Sequence, residues 1–131
     1  STGQNTRTLN TTVTNTLTGA SLASNLVTLQ AGTYEAFGSA VIGHQSSGFR
    51  KLSLYNNSDA VDILVGTSTA SGAGVTDMKA NLVFGRFTLA ATKDIALRHY
   101  ISAGFADYGF GFAASSGQVE VYAELMITKV A

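Results

Sequence analysis

The segment Gly117–Val130, GQVEVYAELMITKV, constrains the fold more than any other part of the chain. Val119, Val121, Ala123, Leu125 and Ile127 fall on one side of an extended backbone. Gln118, Glu120, Tyr122, Glu124 and Thr128 fall on the other. Period-two alternation of this kind marks an antiparallel sheet with one dry and one wet face.

The preceding chain reads as a succession of short strands. In Phe49–Tyr55, Leu52 and Leu54 point one way and Lys51, Ser53 and Tyr55 the other. Asn56-Asn57-Ser58-Asp59 then supplies turn residues, and Val61, Ile63 and Val65 are expected to continue the inward face. A strand is expected through Asn25–Gln30, although Leu22, Leu26 and Leu29 would also suit a short helix. Tyr34–Gln45 is expected to be broken at Gly38 and Gly43, and Thr67–Ala80, rich in small and polar residues, to be an exposed loop. Asn81–Ala91 and Asp94–Ala103 complete the set. About eight strands with short turns predict an all-β antiparallel sandwich, jelly-roll-like, with residues 22–131 forming one domain.

Residues 1–21 are expected to be an extended N-terminal arm that orders against a neighbouring subunit. The first eighteen hold eight Thr and one charge, with Leu9, Val13 and Leu17 as the apolar positions. Thr favours strand over helix. A disordered tail is the alternative, though solvating tails usually carry more charge. STGQNTRT has no basic-then-apolar leader pattern, and removal of an initiator methionine is the expectation.

Composition narrows the function classes. Eight basic residues balance eight acidic ones, and charged residues are 12% of the chain, about half the usual share. A nucleic-acid partner is not expected, because such binders carry a basic excess. No apolar run approaches the roughly 20 residues of a membrane span, so no membrane partner is expected. With no cysteine, disulfides and thiolate metal sites are excluded. A surface this poor in charge favours association. Strand edges without proline, which this chain lacks, stay open to pairing with other chains.

Catalysis is not expected. His99 shares its face with Leu97 and Ile101, which predicts a structural histidine, and His44 is expected in a loop before Gln45-Ser46-Ser47. The carboxylates are scattered. Asp59 and Asp62 lack the spacing of a calcium loop and suit turn capping. No cofactor and no metal is expected. Tyr108, Phe110 and Phe112 alternate with glycines, which suits either sandwich core or an aromatic contact surface. With Leu9, Val13 and Leu17 they are the candidate interface residues.

Three runs, KLSLYNNSDAVDILVGTSTASGAG, FTLAATKDIALRHYISAGF and GQVEVYAEL, resemble small β-sandwich structural proteins of bacteriophage virions, such as capsid decoration (cement) proteins and related minor structural proteins. The resemblance covers Lys51 to Leu125. It implies a non-enzymatic virion protein, assembled in the host cytoplasm, that covers or clamps a capsid lattice as a homo-oligomer, typically a trimer. The alternative is a carbohydrate- or receptor-binding sandwich of a phage tail, using Tyr108 and Phe110.

Overall fold

The computed structural model describes residues 2–44, 48–72, 77–103 and 110–131. All of its regular elements among these residues are strands: β1 (Gly3–Thr6), β2 (Ser21–Ala23), β3 (Leu26–Leu29), β4 (Gly32–His44), β5 (Gly48–Asn56), β6 (Val61–Ser71), β7 (Asp77–Leu89), β8 (Lys93–Ile101) and β9 (Ala123–Lys129). They form two antiparallel sheets. The larger runs β2-β3-β8-β5-β6, and the smaller runs β7-β4-β9.

The pairing is nested. β5 pairs with β6, β4 with β7, and β3 with β8, as in one long antiparallel ribbon. The ribbon folds over so that β8 also lies beside β5. Successive rungs therefore alternate between the sheets, which is a jelly-roll winding with three rungs. The expected all-β sandwich is the observed architecture.

Two halves of one β8 edge are filled by different segments. β3 pairs Val27–Leu29 with Lys93–Ile95, while β1 pairs Gly3–Thr6 with Arg98–Ile101. The start of the expected arm is therefore a strand of its own subunit's sheet, where ordering on a neighbouring subunit is the expectation from sequence. Residues 8–20 contain no strand.

The core lies between the sheets. Leu29, Ile42, Leu52, Leu54, Ile95 and Leu97 are fully enclosed, each contributing about 1.5–3 kcal/mol relative to an exposed side chain. At one end Tyr34 stacks on Phe87 with centroids 5.7 Å apart, and its hydroxyl donates to the Gln30 carbonyl at 2.8 Å.

Several local expectations are corrected. β4 runs unbroken through both expected breaks, Gly38 and Gly43, and takes in His44, expected in a loop; at Gly38 the missing side chain makes room for packing. A Cβ there would stand 2.9 Å from Val83 Cγ1 and 3.0 Å from Leu97 Cδ1. The expected loop at 67–80 is mostly strand, since β6 extends to Ser71 and β7 begins at Asp77. Thr67 explains this: its Oγ1 accepts from Leu82 N at 2.9 Å and donates to Leu82 O at 3.2 Å. These bonds close the seam between the sheets. Gly66 lets the chains approach there, because a Cβ would press on the Leu82 carbonyl oxygen.

Val61 and Val65 face outward, while Ile63 packs against the core as expected and is joined by Leu64. The pairing of β5 with β6 shifts register between Lys51 and Ser53 and again between Leu54 and Tyr55, which breaks simple alternation. The same irregularity buries Ser53, which alternation places outside. The helix alternative at Leu22–Leu29 is replaced by the β2–β3 hairpin. Its two-residue turn takes positive φ at Ser24 (50°) and Asn25 (65°), the backbone that a tight hairpin needs at both central positions.

Candidate interaction surface

Alternation along the smaller sheet turns Tyr34, Ala36, Ala40 and Ile42 inward and their neighbours outward. On the outward face Phe37 stands opposite Phe84 on one side and Met126 on the other. The three make a row across all three strands, with 64%, 42% and 66% exposure for Phe84, Phe37 and Met126. The two rings stack with centroids 6.4 Å apart. Beside this row Arg86 Nη2 pairs with Glu35 Oε1 at 2.6 Å, and beyond that the Thr33 and Thr88 hydroxyls bond at 2.9 Å. An apolar strip bordered by polar pairs is the usual anatomy of a contact surface.

A second feature lies along β9, which among the described residues pairs on one side only, with β4. A groove of about 870 Å³ runs between the segment Thr6–Leu17 and the stretch Val119–Ile127. Leu9 and Leu17 pack against the core beside Leu125 and Ile127, while Val13 is 93% exposed at the groove. Of the arm residues named as interface, then, Leu9 and Leu17 contact their own subunit and Val13 faces outward. Ala123, Leu125 and Ile127 face inward as expected, but Val119 and Val121 precede β9 and are exposed.

Among the aromatic candidates, Phe110 lies under the Arg7 guanidinium, whose carbon is 4.3 Å from the ring centroid. That cation occupies a ring face a stacked sugar would need. Phe112 is half-buried, and Tyr108 lies outside the described residues.

The third feature is a polar end of the core that sequence reasoning found only in part. His99 is fully buried, as its alternation with Leu97 and Ile101 predicts. Its Nε2 lies 2.8 Å from Asn81 Oδ1. Asn81 Nδ2 donates to the Thr67 carbonyl at 3.0 Å, so Oδ1 is the acceptor and His99 carries its proton on Nε2. His99 Nδ1 has no partner among the described residues.

Arg7 and Arg50 are buried beside it, at 3% and 1% exposure. Arg7 Nη2 donates to the carbonyls of Phe110 and Tyr122, both at 3.1 Å, and Arg50 Nη1 donates to Phe49 O at 3.1 Å. Arg7 Nη1 and Arg50 Nε have no partner among the described residues. Burial, together with the two nearby guanidinium charges, pushes the His99 pKa down to about 3. Burial also lowers Arg7 to about 10, so it stays charged at neutral pH. No motif announces this group, because two isolated arginines look like surface charges in a sequence.

Asp59 sits in the β5–β6 turn, where Asn56 provides the cap and the Asp59 carboxylate braces it. Its backbone N–H donates to Asn56 Oδ1 at 3.0 Å, and its carboxylate accepts from Asn56 Nδ2 at 2.8 Å and from Lys93 Nζ at 2.7 Å. Those contacts, the Lys93 bond first, hold its pKa below the usual carboxylate value. Among the described residues no group of three or more His, Cys, Asp or Glu is placed to hold a metal ion, and no helix is long and apolar enough to cross a membrane. The chain matches no family model and no curated protein sequence with which it was compared.

Proposed function

We propose that this chain is a non-enzymatic structural protein of a bacteriophage virion, a decoration, cement or minor capsid protein, that self-associates and binds a capsid lattice to stabilise it. The outward row Phe84–Phe37–Met126 is the observation that carries the reading. A sheet face of this kind loses little by being covered and gains about 25 cal/mol for each Å² of apolar surface removed from water. The chain's balanced charge adds no long-range repulsion between copies. Sister copies, with a trimer favoured, would cover the row, and the lattice would take the surfaces left over. Sites that exist only on the assembled shell would then stabilise it by mass action.

Light scattering on the purified chain tests the first step. The expected mass is a multiple of 13.6 kDa, falling to the monomer when Phe37 and Phe84 are both replaced by Ser. Mass spectrometry of purified phage shells tests the second and should find the chain in stoichiometric amount. A monomeric wild-type chain that is also missing from shells would overturn the reading.

A further inference from the structure

The polar end of the core holds two guanidinium groups with no negative partner among the described side chains. Arg50 sits opposite Ile101 in the β5–β8 ladder, and His99 is two residues from Ile101 on the same inward face. Arg50 and His99 are thus diagonal neighbours. Arg7 enters from the other side of β8, where its backbone N–H donates to Leu97 O at 2.8 Å. Among the described residues three buried polar atoms at this end of the core lack a partner: two are N–H donors, on Arg7 Nη1 and Arg50 Nε, and the third, His99 Nδ1, is the ring's acceptor.

Burying a charge without a counter-charge is among the most costly arrangements in a protein interior. The carboxylates with described side chains are all engaged elsewhere or exposed. Glu35 pairs with Arg86, Asp59 with Lys93, and Asp94 accepts from Thr28 at 2.7 Å. Glu120 accepts from Ser115 N at 3.0 Å, while Asp62 and Glu124 are exposed. A buried water would satisfy the N–H groups but would leave the charge in place.

We propose that Arg7 and Arg50, bordered by His99, form a buried site for one small oxyanion of the phosphate, sulfate or carboxylate class. Each guanidinium offers a free N–H to a charge-assisted bond of the kind arginine makes with such groups. Asn81 fixes the His99 ring, and Phe110 backs the Arg7 plane. The site is independent of the outward apolar row, so it stands or falls separately from the assembly reading.

The test uses the full chain, refolded from denaturant in a chloride buffer to remove any passenger ion, then dialysed against labelled inorganic phosphate at fixed ionic strength. Saturable binding of one phosphate per chain is expected, with competition from sulfate and acetate and a melting temperature that climbs with phosphate. Arg50→Gln should weaken binding about tenfold or more, and Arg86→Gln, on the exposed face, should leave it unchanged. If Arg50→Gln fails to fold, the wild-type dialysis and Arg50→Lys carry the test. No saturable phosphate on the wild-type chain overturns the proposal. So does phosphate binding that appears only in Asp77→Asn or Asp107→Asn, because one of the chain's own carboxylates would then be filling the place.

Discussion

The two ends of the interior are built on opposite rules. Around Leu29, Tyr34, Phe87, Leu89 and Ile95 the space is filled by shape, and the Tyr34 hydroxyl is bonded. Around Arg7, Arg50, Asn81 and His99 it is filled by groups that each demand a partner, and three polar atoms lack one among the described residues. The same two sheets enclose both ends. The difference shows that one interior can combine an end satisfied by packing with an end whose polar groups need partners, and the two should respond differently to truncation and to pH.

The most direct way to break that comparison is to weaken the apolar end. Ile95→Ala, at a fully enclosed position, should destabilise the chain by about 2–5 kcal/mol, the range for a buried Ile truncated to Ala. Urea unfolding measures it. A loss below about 1 kcal/mol would mean that this end is loosely packed and that the polar end carries more of the fold.

The next effect belongs to the polar end. His99 is held neutral in the folded chain, with its pKa lowered to about 3, against about 6.5 when unfolded. The unfolded chain therefore binds an extra proton between those values, and stability must fall as pH drops below about 6.5. One such group gives a slope of up to about 1.4 kcal/mol per pH unit. Above pH 7 the effect is absent. Asp59, whose pKa is lowered, contributes stability that is lost only as pH falls past the carboxylate range, so the two separate above about pH 4.5. His99→Gln should flatten the slope between pH 6.5 and 5. An unchanged slope would place the sensitivity elsewhere. Phosphate bound at the site would also lift the His99 pKa and flatten the slope, which links this measurement to the oxyanion.

These two ends were not equally legible in the sequence. Apolar alternation announced the strands at Phe49–Tyr55 and in the terminal segment, because a period of two needs only local information. It failed wherever the backbone departs from plain pleating, at the shifted register of β5 with β6 that turned Val61 and Val65 outward. Gly38 looked like a break since composition does not show that Val83 and Leu97 converge on it. Thr67–Ala80 looked like a loop because the bonds from Thr67 to Leu82 that make it strand are contacts between distant parts of the chain. His99 was placed correctly in the interior by its neighbours. Its companions Arg7, Arg50 and Asn81 come from three other strands or their flanks, so no spacing could assemble them. The outward row was missed for the same reason: Phe37, Phe84 and Met126 meet only through the registers of β4 with β7 and β9.

The smallest expected effect sharpens the comparison by supplying a charged pair with full access to water. Arg86 and Glu35 bond at 2.6 Å, and their side chains are 61% and 53% exposed. A pair of that kind is worth about 0–1 kcal/mol and weakens with salt, since water screens it and two long side chains must be ordered. A double-mutant cycle with Arg86→Gln and Glu35→Gln, read by urea unfolding at low protein concentration, should return a coupling below about 1 kcal/mol. At high protein concentration the outcome depends on what covers the sheet. The pair lies in the row next to Phe37 and Phe84, so a sister copy resting on those rings would strip water from it and strengthen the coupling. A concentration-dependent rise would therefore support the covered face. A coupling that stays small and salt-sensitive at every concentration would leave the outward row in water and count against self-association through it.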